Sequence, residues 1–166
     1  MSVPFKVYKR IGDLRKLSAK DFSTTILIYA DSFIADSKIS IEAAKANSAP
    51  DVAIYLLISG QPELGDIASV IDERTYIVQI TEGAGWGEAM NALIKLANSP
   101  YVVVMDPSTI FTGDAITPTI AKLAENVNVS LWNHQISEGK NMKKALDFIM
   151  PYLKNEKVWE YEQIQK

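Results

Sequence analysis

Residues 82–109 read EGAGWGEAMNALIKLANSPYVVVMDPST: a glycine-rich turn, an amphipathic helix, a short apolar strand and an acid where that strand ends. A strand of almost pure apolar side chains, Tyr101–Met105, is expected to be buried on both faces, as strands of a parallel sheet are. Asp106 is then the first polar group to emerge at the strand's carboxyl end, where open α/β sheets place their ligands. It is the leading candidate site residue. A strand-end aspartate before Pro107 also has a purely local use, accepting a hydrogen bond from the amide two residues on. Both readings stay open at this point.

On either side of this stretch the same alternation continues. Residues 25–30, 52–58, 76–80, 101–105 and 127–132 are short and rich in β-branched or aromatic residues, the pattern of strands. Residues 36–47, 63–72, 86–98 and 115–126 read as helices, with Ala43, Ala46, Ala89, Leu93, Leu96 and Ala97 at core spacing. Strand and helix in strict succession require right-handed crossovers and a mainly parallel sheet, covered on both faces. The expected fold class is therefore α/β, a Rossmann-like three-layer α/β/α sandwich. No repeat or linker interrupts it, so one domain is expected over 1–166, with a core at about 24–133, an N-terminal extension at 1–22 and a helical tail at 137–166.

The two flanks carry their own signals. The extension interleaves Lys6, Lys9, Arg10, Arg15, Lys16 and Lys20 with Val7, Tyr8, Ile11, Leu14 and Leu17, which reads as the solvated face of a leading strand or helix. The tail aligns Met142, Ala145, Leu146, Ile149 and Met150 on one stripe before Pro151, then adds Leu153, Trp159 and Tyr161. Such a surface is expected to cover the sheet, to build a homodimer or to bind a protein partner.

Composition narrows the function classes. The chain has 166 residues, is 48% hydrophobic and carries a formal net charge of -3, enough to bury a sizeable core. Zero cysteines and one histidine exclude disulfides, thiolate zinc, a cysteine nucleophile and a multi-histidine metal site within the chain. An excess of acid over base argues against nucleic acid as a partner. No apolar run reaches the roughly 20 residues of a membrane span, and the start MSVPFKVYKR lacks a signal-peptide core. Cytoplasmic residence is the default expectation.

The stretch 82–109 resembles the nucleotide-sugar-binding half of the GT-A glycosyltransferases, in particular the inverting family two. In that family a turn of the form G-x-G-x-A-R-N opens a helix, and the next strand ends in D-x-D, whose carboxylates hold a divalent metal on the diphosphate. Here the turn is Gly85-Trp86-Gly87-Glu88-Ala89-Met90-Asn91 and the strand ends Met105-Asp106-Pro107-Ser108. The frame matches, but Met90 stands at the arginine position and Ser108 at the second acid. After its first strand the family carries a proline and a Y-N pair, where this chain has Tyr29-Ala30-Asp31-Ser32, a polar turn in the same place. The family's acidic turn after the second strand, which reads base and ribose, is here Ile58-Ser59-Gly60-Gln61, without its acids. The resemblance covers about residues 24–133. It implies a strand order 3-2-1-4 for the first four core strands, with Ser59, Gly85, Gly87, Asn91, Asp106 and Ser108 as nucleotide contacts around one crevice. Asp106 is then the sole carboxylate for manganese or magnesium, and metal and nucleotide-sugar are both expected to bind weakly.

Other residues have plainer readings. Asp114 stands where an N-cap belongs, before the helix at 115–126. The glycines at 83, 85 and 87 follow the third strand rather than the first, which disfavours a dinucleotide fingerprint. Trp86 reads as packing across a helix start, and His134 as a hydrogen-bonded loop residue. The resemblance places the family's general base in an acceptor-binding half that is not recognised here. The leading expectation is a glycosyltransferase-like domain with a vestigial or weak nucleotide-sugar site, not catalytic alone. An active small transferase completed by a partner or a dimer, and an α/β interaction domain without nucleotide binding, remain as alternatives.

Overall fold

The computed structural model describes residues 4–17, 21–31, 35–60 and 65–125. Five strands, β1 (Phe5–Tyr8), β2 (Thr24–Ala30), β3 (Val52–Ser59), β4 (Thr75–Ile80) and β5 (Tyr101–Met105), form one sheet in the order β1-β4-β3-β2-β5. Every pairing is parallel. The helices are α1 (Ala35–Ala46), α2 (Trp86–Leu96) and α3 (Ile116–Glu125), with 3₁₀ turns at Ile11–Asp13 and Gly65–Val70. The chain up to Gly113 is one compact unit, and Asp114 begins a second, of which α3 is the described helix. The expected strand at 127–132, His134 and the tail at 137–166 lie outside the described residues. Among the described residues no helix is long and apolar enough to cross a membrane.

The order β4-β3-β2-β5 is the expected 3-2-1-4 core, and the fold is the expected Rossmann-like α/β sandwich. Crossover handedness explains its layers. The connections from β2 to β3 and from β3 to β4 step one way along the sheet, and the one from β4 to β5 steps back over two strands. Right-handed crossovers therefore put α1 and the 65–70 turn on one face and α2 on the other. Alternation along the strands supplies both faces. Leu27, Tyr29, Ala53, Tyr55, Leu57, Tyr76, Val78 and Ile80 cluster with Ala89, Met90, Leu93 and Leu96 of α2. The residues between them, Ile26, Ile28, Ile54, Leu56, Ile58 and Ile77, are fully buried on the opposite side.

One expectation narrows and two change. The leading segment is a strand, β1, which pairs with β4 from Phe5↔Ile77 to Tyr8↔Ile80 and extends the sheet past its core. Within the segment expected as a helix at 63–72, Gly65–Val70 is a 3₁₀ turn, and its buried Ile67 and Val70 sit three apart, the spacing that eclipses side chains on a 3₁₀ turn. Strand β5 is not buried on both faces: Val102 is 41% exposed, because among the described residues β5 is an edge strand with β2 as its one neighbour.

Candidate functional site

In a parallel sheet all strand carboxyl ends share one rim, so Ser59, the last residue of β3, and Asp106, just past β5, stand on the same side of the molecule. Strand β2 lies between β3 and β5, which sets those two strands roughly 10 Å apart at normal strand spacing. The pairs Ala30↔Ile58 and Ile28↔Met105, continued by one step each, bring Asp31 level with Ser59 and Asp106 level with Tyr29. The direction of the crossovers reverses between β2 and β5, and at such a reversal two loops part and leave a crevice. Asp31 and Asp106, both exposed, emerge from the two strands that flank it.

The β3 side of the crevice is tied together by hydrogen bonds. The turn after β4 reaches back over β3 because the Ala84 amide donates to Ser59 Oγ at 3.0 Å. The Tyr29 hydroxyl stands 2.5 Å from the Ala84 carbonyl and 2.9 Å from Asp31 Oδ1, and shares its one proton between them. Burial pushes the Tyr29 phenol above its ordinary value; the Asp31 and Glu88 carboxylates add to this, while a hydrogen bond from Ser59 pulls the other way. The phenol is therefore a donor throughout the neutral range. Gly60 follows with φ of 87°, a left-handed turn that glycine adopts at no steric cost, and its carbonyl accepts from the Gln79 side chain at 3.1 Å.

Helix α2 starts from this turn without a side-chain cap: Gly85 is the N-cap residue and offers no hydroxyl or carboxylate. Its backbone is extended, at φ -71° and ψ 154°, and a Cβ built on Gly83 or Gly85 would meet nothing within 4 Å. Neither glycine is required by its own backbone or by a neighbour in the chain, so bare backbone faces open space there. Gly87, by contrast, is buried in the first turn of α2 and takes part in packing. Trp86 also packs against the core.

Asp106 sits in a tight turn on the β5 side. Its Oδ1 accepts from the Ser108 amide at 2.9 Å and the Ser108 hydroxyl at 2.5 Å, and its carbonyl accepts from Thr109 at 3.0 Å. Oδ2 has no hydrogen-bond donor among the described residues. The local use of this aspartate is thus present, and it leaves one carboxylate oxygen over. Asp114, the other acid downstream, caps α3: its Oδ1 accepts from the amides of Ile116 and Thr117 at 3.1 and 3.0 Å. Hydrogen bonds from Thr117 and from these amides hold its carboxyl below the usual range.

The structure brings Ser59, Gly85, Asp106 and Ser108 to one rim, but Asn91 looks elsewhere. It is exposed on α2 and lines a groove of about 470 Å³ with Ile11, Leu14, Lys16, Glu88 and Lys95. One and a half helical turns separate Asn91 from Gly85, enough to carry the side chain away from the rim. Tyr29 and Asp31, in turn, belong to the rim, although the sequence marks them only as a polar turn. A signal for them exists: Asp31 follows the apolar run of β2 as Asp106 follows that of β5. The model of glycosyl transferase family 2 matches residues 38–165; it begins inside α1, after Tyr29 and Asp31. Comparison with the curated proteins finds no match.

Proposed function

The chain belongs to glycosyl transferase family 2, and we propose that its carboxyl rim is a weak nucleotide-sugar site centred on Asp106, vestigial as a catalyst when the domain acts alone. The observation that carries this reading is the turn Asp106-Pro107-Ser108, which presents one carboxylate oxygen and one hydroxyl beside the crevice between β2 and β5. A divalent cation of the magnesium or manganese class fits these donors in kind, since both are hard oxygens, but not in number. Among the described residues no group of three metal-ligating side chains exists. Such a cation would take most of its ligands from a diphosphate and water, with Asp106 Oδ2 and Ser108 Oγ orienting it. Its contribution would be to offset the diphosphate's charge.

Two positions limit the affinity. Ser59 and Ser108 stand where the resemblance calls for acids, and Ser59 Oγ already accepts from Ala84. A charge-assisted hydrogen bond contributes about 1.5–3 kcal/mol, so two lost acids weaken binding by roughly a hundredfold or more. The bare backbone at Gly83 and Gly85, above an uncapped helix start, supports an anionic ligand at this rim. A second reading, an interaction domain without nucleotide, is favoured by one feature: both Ser108 bonds fall on the same Asp106 oxygen, as a structural turn requires.

Asp106→Asn separates the two, because an amide oxygen keeps the turn and loses the charge. With uridine diphosphate and manganese at low-millimolar concentration, the native chain is expected to melt a few degrees higher, the rise that a few-fold excess over the dissociation constant produces at this size. Asp106→Asn should lose the manganese-dependent part and keep its ligand-free melting temperature. No shift in the native chain would favour the interaction domain, and a large shift at micromolar ligand would favour a working transferase.

A further inference from the structure

Helix α1 and the residue just past its end hold the loop after β5 by two side chains about two turns apart. Ser40, fully buried, donates its hydroxyl to the Pro107 carbonyl at 2.8 Å. Asn47, the residue after α1, donates to the Phe111 carbonyl at 3.0 Å as well as to the Ala43 carbonyl of the helix. A serine inside a helix commonly bonds its own i−4 carbonyl; Ser40 instead reaches across to the rim loop, on a residue 67 positions away in sequence.

The target of that bond matters because of peptide planarity. The Pro107 carbonyl and the Ser108 amide belong to one rigid unit and point in opposite directions. Fixing the carbonyl on α1 therefore aims the Ser108 N–H away from α1, and Asp106 Oδ1 accepts it there at 2.9 Å. Proline removes one alternative, since Pro107 has no N–H with which the turn could re-pair. The carboxylate plane of Asp106, and with it the direction of the free Oδ2, is thus set from beneath by a buried hydroxyl that touches no ligand.

We infer that Ser40 is a positioning residue for the Asp106 carboxylate, acting through the Pro107–Ser108 peptide plane. What the carboxylate is positioned for rests on the nucleotide-sugar reading above, but the positioning itself does not.

The test follows a graded series, Ser40, Ser40→Cys and Ser40→Ala, in which the donor weakens and then disappears at nearly constant volume. Ser48→Ala, which removes a hydroxyl near the other end of α1, is the control. Two quantities are read on the full chain: amide hydrogen exchange at Ser108, and the dissociation constant of uridine diphosphate with manganese by calorimetry. The expected result is exchange at Ser108 faster by about tenfold in Ser40→Ala, intermediate in Ser40→Cys and unchanged in Ser48→Ala, with the dissociation constant rising about 5–10-fold in the same order. Unchanged Ser108 exchange in Ser40→Ala, or an equal acceleration in Ser48→Ala, would overturn the inference. Exchange that follows the series while the native chain binds no manganese-dependent nucleotide would support the positioning and overturn the nucleotide reading instead. Should Ser40→Ala not fold, exchange in Ser40→Cys matching the native chain would overturn it.

Discussion

The two rims of the sheet use their charges in opposite ways. At the amino rim, where β3 and β4 begin, Lys45 Nζ sits 2.6 Å from Asp72 Oδ2 and also donates to the Val70 carbonyl. Arg74 spreads its guanidinium over the carbonyls of Lys45 at 2.6 Å, Ala49 at 2.7 Å and Val52 at 3.3 Å. These carbonyls lie at the end of α1, in the turn after it and at the start of β3, and a planar fork of five donors reaches all three. At the carboxyl rim Asp31 and Asp106 are exposed, α2 starts uncapped and the glycines face open space. The amino rim closes the fold with a partly buried ion pair, whereas the carboxyl rim carries the solvent-exposed Lys9–Glu82 pair at 3.6 Å and turns Asp31, Asp106 and the first amides of α2 outward. Open α/β sheets place their ligands at the carboxyl ends of their strands, and the binding proposed for that rim fits this asymmetry.

If the rims are specialised in this way, the largest loss of stability should come at Arg74. Removing its side chain takes a charged donor from three carbonyls at once. Arg74→Ala is therefore expected to cost about 3 kcal/mol or more, a fall in melting temperature of roughly 6–12 °C, measured by urea or thermal unfolding. Asp106→Asn at the other rim should change stability by less than about 0.5 kcal/mol. Equal losses from the two variants would mean that the rims are not specialised.

Acid provides a smaller test. Burial raises the Asp72 carboxyl, but the Lys45 ammonium and the Arg74 amide outweigh it and hold it below its ordinary value of 3.8. A carboxyl depressed in the folded chain contributes stability above the unfolded pKa and loses it as pH falls through the folded value. The loss should begin near pH 4 and grow below it, amounting to about 1 kcal/mol once solvent screening of this partly exposed pair is allowed for. Unfolding by urea at pH 6 and pH 3 should show a difference that shrinks in Asp72→Asn; an identical pH dependence in both chains would remove this pair from the account.

The smallest expected effect lies between the rims. Tyr55, fully buried in the middle of β3, packs its ring edge-on to Tyr76 at 5.2 Å, and its hydroxyl has no hydrogen-bond partner among the described residues. Burial pushes its phenol up to about 12, with the neighbouring Tyr76 adding to it. A pKa raised in the folded chain supplies stability that is complete below the unfolded value of 10.0 and is lost as pH rises toward about 12. Tyr55→Phe deletes the orphan hydroxyl and keeps the ring. It should be neutral or stabilising by up to about 1 kcal/mol at pH 7, with a flatter loss above pH 10 in denaturant titrations. A clear destabilisation at pH 7 would show that the hydroxyl has a partner.

Much of this architecture is legible in the amino-acid sequence, wherever the deciding interactions are local. Short apolar, β-branched runs place β2 to β5, and the 3.6-residue pattern places α1 and α2 within a residue or two. The turn at Asp106 and the cap at Asp114 are legible for the same reason: each spans two or three residues, so the sequence neighbours are the partners. The fold class and the strand order come from alternation and resemblance together. The rim position of Ser59 and Asp106 is legible from the ends of their strands, whereas the direction of Asn91 is not, because it depends on how α2 is rotated against the sheet.

The amino-acid sequence is thus sufficient to say which segments are strands, which are helices and which acid ends β5. It takes the assembled fold to join β1 to β4, to carry Tyr29 across 55 residues to Ala84 and to carry Ser40 across 67 to Pro107. The difference is one of range. A hydrophobic period or a two-residue turn is written in adjacent side chains, whereas a hydrogen bond between distant loops exists only after the parallel sheet has aligned its strand ends. No single segment carries the information for where that rim brings them.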